Sequence, residues 1–140
     1  MELTWDAAQK ILNTAKTVAV VGLSDKRDRP SNEVAGYLKS HGYRIIPVNP
    51  TIKEALGEKA YPSLRDLPER VDVVQIFRRP KDVPPVIDDA IAIGVKVVWM
   101  QPGAENEDAA ETAEAAGVTA VVGHCMRAVH RALHERPGHR

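Results

Sequence analysis

The sequence has little cysteine, no surplus charge of either sign and no long hydrophobic run. The single cysteine among 140 residues, Cys125, has no partner within the chain, which excludes an internal disulfide framework. Nineteen basic side chains face nineteen acidic ones, for a formal net charge of zero. A protein that grips duplex nucleic acid needs extra Lys and Arg to displace counterions, so nucleic acid is not an expected partner. No apolar stretch approaches the ~18–20 residues of a membrane span. Met1 to Lys10 carries Glu2 and Asp6 where a secretory leader would place a basic region and then an apolar core. Neither a leader, an anchor nor a membrane partner is expected, and the expected location is cytoplasmic.

What is present is ordinary globular material, 44% hydrophobic and 27% charged, enough for one domain over residues 1–140. A unit recurs along it: a helical stretch ends at glycine and a β-branched run follows, in His41-Gly42-Tyr43, Ile93-Gly94-Val95 and Ala116-Gly117-Val118. Glycine suits the left-handed position just past a helix end, so each reads as a helix turning into a strand. Strands are expected over 17–22, 43–48, 71–77, 95–100 and 118–122. Nearly continuous Val and Ile mark them as covered on both faces, hence parallel. Helices are expected over 5–15 behind a Thr4 cap, 31–40, 83–93, 105–116 and 125–135. Residues 51–69 fit neither period and read as a long loop with a helical turn near Ser63 to Asp66. Pro47 sits inside the second strand, where a missing donor points to an edge or a strand end. Pro84 and Pro85 require the third helix to begin just before them.

This alternation implies an α/β fold: a Rossmann-like, doubly wound parallel sheet of five strands with helices on both faces, in the expected order 3-2-1-4-5. Ligands of such sheets bind beyond the carboxyl ends of the strands, where strand order reverses. After the first strand come Gly22, Leu23 and Ser24, then Lys26, Arg27 and Arg29, with Ser31 opening a helix whose free amides suit an anion. This is no dinucleotide fingerprint: Ser24 replaces the second glycine of G-x-G-x-x-G and the third is missing. The second strand ends Val48-Asn49-Pro50, with no carboxylate for the ribose of NAD. Phe77, Arg78, Arg79 and Lys81 follow the third strand, so six basic residues converge on two strand ends, while acidic residues gather between Glu105 and Glu114. Arg29 and Lys81 read as surface charges. The fourth strand ends Met100-Gln101-Pro102, with Gln101 the better ligand contact.

Taken together, Val18 to Ser24 with Arg29-Pro30-Ser31, Tyr43 to Pro50 with its Tyr-x-x-x-Pro-Val-Asn-Pro run, Val71 to Val74 with Phe77-Arg78, and Trp99 to Gly103 resemble the CoA-binding protein family. That family is similar to the N-terminal CoA-binding domain of succinyl-CoA synthetase alpha subunits and of nucleotide-diphosphate-forming acyl-CoA synthetases. The resemblance places Pro47 within its strand. It implies a coenzyme A or acyl-CoA site in which Gly22, Leu23, Ser24, Lys26, Arg27 and Ser31 hold phosphates. Val48, Asn49 and Pro50 flank the nucleotide, Phe77, Arg78 and Arg79 cover it, and Met100, Gln101 and Pro102 lie towards the pantetheine arm. The synthetases' phosphohistidine and ATP-grasp domains have no counterpart in these 140 residues, so binding without synthesis is expected, with a sensor or carrier role and an unidentified protein partner. Stand-alone relatives commonly read Arg-Cys-Pro followed by Glu near the C-terminus; here the residues are His124-Cys125-Met126, with Val129 in place of the Glu.

Cys125, His130 and His134 could share one helix face beside His124. Without a second pair of ligands at zinc spacing no metal site is expected. Two alternatives to a pure binding domain stay open: a thioester or acyl-transfer enzyme using Cys125, whose thiol would be activated at a helix N-terminus, and a nucleotide module of the NADP or FAD type.

Overall fold

The computed structural model describes residues 3–135 as three layers. Helix α1 (Trp5–Thr14) begins where the Thr4 side chain accepts a hydrogen bond from the Ala7 amide at 3.1 Å, and leads into β1 (Thr17–Val21). Helix α2 (Pro30–Ser40) and β2 (Arg44–Val48) follow. A two-residue hairpin, Glu54–Ala55 with Glu58–Lys59, and a 3-10 turn at Leu64–Asp66 occupy the expected loop. Then come β3 (Val73–Ile76), a 3-10 turn at Pro80–Asp82, α3 (Val83–Ala92), β4 (Val97–Met100), α4 (Glu107–Ala115), β5 (Thr119–Val122) and α5 (Met126–Glu135). Pro84 and Pro85 fall in the first turn of α3, where their missing amides cost nothing.

The three helix-ending glycines form the same double bond pattern. The amide of each Gly reaches back three residues and that of the next residue five, as in Gly42 to Lys39 and Tyr43 to Leu38, both 3.1 Å. All three glycines have positive φ. A repeated local rule therefore starts three of the five strands.

The sheet is parallel throughout, as expected, but its order is 2-1-3-4-5 and not 3-2-1-4-5: β3 pairs with β1, and β2 is an edge. The β2–β3 connection steps over β1 on the α3–α4 side, burying Leu64 in the core there. That step needs its length. Pro47 fits the observed order. The Val48 carbonyl faces β1 and accepts the Gly22 amide at 2.8 Å, so the Pro47 backbone faces outward, where its carbonyl accepts the Tyr61 amide and no donor is needed. At the opposite edge, the outward amide of Ala120 donates to the Glu114 carboxylate of α4 at 3.1 Å.

Alternation along the strands divides the core in two. Ala19, Val21, Val74, Ile76, Val98 and Met100 face α3 and α4. Val18, Val20, Val73, Trp99 and Val121 face α1, α2 and α5. On the same face of the sheet lies a polar side chain, the fully buried Gln75 of β3.

Candidate functional site

Strand order reverses between β1 and β3, and there the chain is tightest. Gly22, at φ +88°, lies so close to β3 that a Cβ on it would sit 2.1 Å from the Phe77 carbonyl oxygen. Any side chain would push the two strand ends apart. Above this floor opens a cleft of about 780 Å³, within the range of small-molecule sites.

Side chains hold the cleft's first wall. Ser31 Oγ accepts the Ser24 amide at 3.0 Å and Asn32 Nδ2 donates to the Ser24 carbonyl at 2.9 Å, folding the loop after β1 back onto the start of α2. Asn49, at the end of β2, donates to the Leu23 carbonyl at 3.0 Å and accepts the amide and hydroxyl of Thr51. Arg29 is the N-cap of α2 and Pro30 its first residue. Among the described residues the Ser31 and Asn32 amides have no hydrogen-bond acceptor. The far wall is the β4 exit, where the Gly103 amide donates to Glu105 Oε1 at 2.8 Å, and Asn106 joins Pro80 to the N-terminus of α4.

Nine of the fifteen residues expected at the site line this cleft: Gly22, Ser24, Lys26 and Ser31 from the first loop and α2, Asn49 from β2, Phe77, Arg78 and Arg79 from β3, and Pro102 from β4. Six do not. Leu23 and Met100 are fully buried, on opposite faces of the sheet, and Val48 belongs to the core under β2, because strand alternation turns these side chains into the layers. Arg27 is exposed outside the lining, and Pro50 borders a neighbouring cavity of about 160 Å³ that shares Arg78. Gln101 is placed differently again. Buried between β4 and α5, its Oε1 accepts from Gln75 Nε2 at 3.0 Å and from the Met126 amide at 2.8 Å, so it caps a helix and pairs with the amide nitrogen of a buried glutamine, whose Oε1 has no partner among the described residues.

Arg29, expected to be a surface charge, lines the cleft, as do Asp25, Asp82, Thr51 and Ile52. Its place before Pro30-Ser31, at the N-cap of the helix facing the reversal point, is the sequence signal that could have found it. The lining holds four basic side chains against two acidic ones. Lys26, Arg29 and Arg78 have no ion-pair partner among the described residues, and Arg79 is engaged by Asp82 at 3.3 Å. Such an arrangement can take a ligand bearing several negative charges.

Cys125 lies outside the cleft lining, half-buried against the core at the start of α5. The His130 ring is buried, with Nδ1 2.8 Å from the Tyr37 hydroxyl. Burial raises the Tyr37 hydroxyl pKa. Among the described residues no group of three His, Cys, Asp or Glu side chains could hold a metal ion, and no helix is long and apolar enough to cross a membrane.

A sequence-family profile described as a CoA binding domain matches residues 16–131, which span every strand and all of the cleft. The chain belongs to this CoA-binding domain family. The domain is 41% identical over 122 residues to the protein YneT of Bacillus subtilis, covering 87% of this chain and 90% of YneT. It is 34% identical to the ADP-forming acetate–CoA ligase II of Archaeoglobus fulgidus over 71% of this chain but only 15% of the ligase, so it corresponds to one small part of that enzyme. Among solved structures, a hypothetical protein from Pyrococcus horikoshii superposes with a TM-score of 0.91 at 41% identity, covering 93% of this chain and 92% of the other. The CoA-binding domain thus has relatives of its own size as well as relatives in which it is a module.

Proposed function

We propose that the cleft binds coenzyme A or an acyl-CoA, and that the domain holds this ligand as a sensor or carrier without forming the thioester itself. The observation that carries the reading is the joining, at one reversal point, of the unpaired amides at the α2 N-terminus with Lys26, Arg29, Arg78 and Arg79. Coenzyme A has a pyrophosphate and a separate 3′-phosphate, and this charge matches four cations better than the two-phosphate bridge of NAD does. Asn49, spent on the Leu23 carbonyl and Thr51, leaves the β2 end without the carboxylate that NAD sites use for ribose. The relationship to an acetate–CoA ligase supports the same ligand class.

Titration calorimetry of the purified protein with CoA, dephospho-CoA, NAD and ATP tests this. CoA binds tightest and dephospho-CoA more weakly; NAD binding as tight as CoA overturns the reading. Arg78→Ala weakens CoA about tenfold or more, the worth of one hydrogen-bonded phosphate contact. Incubation with acetate, CoA and ATP yields no acetyl-CoA; steady turnover would replace the carrier reading with an enzyme.

A further inference from the structure

A second cavity, of about 620 Å³, opens at the amino end of the sheet, between α1 and the first residues of β3, β4 and β5. It shares no lining residue with the cleft. Its floor is apolar: Ala7 and Ile11 of α1, with Val73 and Val97 below, while Val71, at the margin, packs into the α3–α4 layer. On β4, Val97 and Trp99 point to the same layer, but only Trp99 is fully covered. The helices therefore leave a strip of the sheet open to solvent.

The lining is basic on balance. It includes Lys10, Arg70 and Lys96, none of which forms an ion pair among the described residues. The one carboxylate in the lining, Asp72, is committed elsewhere: its Oδ2 accepts the Lys16 amide at 2.8 Å and the Thr17 amide at 3.0 Å, fixing the entry to β1. Three cations against one carboxylate leave the lining with a net positive charge beside its apolar floor.

We infer that this cavity binds an amphipathic organic monoanion, a free carboxylate on a short aliphatic body. The hydrocarbon lies on Ile11 and Val97, and the carboxylate sits among Lys10, Arg70 and Lys96. A cationic head would be repelled by the same side chains, and a small hydrophilic anion would gain nothing from the floor. Each methylene buried there strengthens binding about threefold to fourfold.

The test is titration of the full ¹⁵N-labelled chain with octanoate, followed through amide chemical shifts, with butyrate, octylamine and anionic lipid vesicles in parallel. Octanoate gives saturable shifts at Lys10, Val71 and Val97, butyrate binds at least tenfold more weakly, and octylamine leaves these amides in place. Lys10→Ala and Lys96→Ala each weaken octanoate about threefold, as expected for exposed ion pairs, and leave the CoA titration unchanged. Val97→Glu, which puts a carboxylate on the floor, abolishes the octanoate shifts. Equal shifts with octylamine, shifts that never saturate, or a response only to vesicles overturns the inference, and none of these outcomes bears on the cleft.

Discussion

The two ends of the sheet are built by different means. At the amino end, backbone largely satisfies backbone: three helices finish in the same glycine turn, with side chains such as Asp72, holding the start of β1, and Glu114, on the Ala120 amide, adding to it. At the carboxyl end nearly every connection depends on a particular polar side chain: Ser31, Asn32 and Asn49 on the first loop, Glu105 and Asn106 beyond β4, and Gln101 under α5. A repeated backbone solution makes strand entries interchangeable. Individually chosen side chains make each strand exit different, and an open cleft of fixed shape can form there.

The largest effect should come from breaking the tightest point of the carboxyl end. Gly22→Ala places a methyl against the Phe77 carbonyl and strains a left-handed residue, for an expected loss of at least about 3 kcal/mol in urea denaturation. A loss under about 1 kcal/mol would mean that the two strand ends can separate freely. Next is Gln101→Ala, which strands both the Met126 amide and Gln75 Nε2. It should destabilise by about 2–3 kcal/mol while the folded fraction keeps its affinity for CoA. A weakened affinity at unchanged stability would return Gln101 to the ligand.

Smaller effects separate the ends further. Asp82→Asn frees Arg79 from its ion pair and should tighten CoA by about twofold to threefold, since an exposed pair is worth under ~1 kcal/mol; weaker binding would show that Asp82 itself contacts the ligand. At the amino end, Arg44 of β2 holds Glu69 through two bonds of 2.8 and 2.7 Å. That bonding lowers the Glu69 pKa. A carboxylate whose folded pKa lies below its unfolded one contributes stability above the unfolded value and loses it as pH falls through the folded one. Glu69→Gln should therefore cost about 0.3–0.5 kcal/mol at pH 7, and progressively less as acid protonates Glu69 in the folded state. A cost that persisted in acid would point to packing instead of charge.

The contrast between the ends also explains what could be read from the sequence. Strand entries were legible because Gly42, Gly94 and Gly117 obey one local rule, and helix starts because Thr4 and the paired prolines have narrow uses. Strand order was less so. Pro47 carried the information, since an outward-facing proline requires an edge strand, but the length of the 51–69 loop did not reveal that it crosses β1. At the site, Gly22, Lys26, Arg78 and Arg79 fall in the cleft lining, while Arg29, read as a surface charge, also lines it and Arg27 does not. Gln101 was read as a ligand contact because a polar residue at a strand end looks alike whether it faces a ligand or a buried amide. The side chains of Val48 and Met100 turn into the core by strand alternation, which near-continuous apolar runs conceal, and Leu23, past the turn at Gly22, is buried in the other layer.

The edges of the sheet bear on behaviour in concentrated solution. With a net charge of zero the molecules have no mutual repulsion to keep them dispersed. What opposes ribbon-like stacking of one sheet onto the next is local: a proline that offers no proton on one margin, with Tyr61 already bonded there, and on the other a carboxylate occupying the Ala120 amide. Neutralising Glu114 would leave that margin open, so this carboxylate, far from the cleft, bears on how concentrated a neutral protein can become before it self-associates.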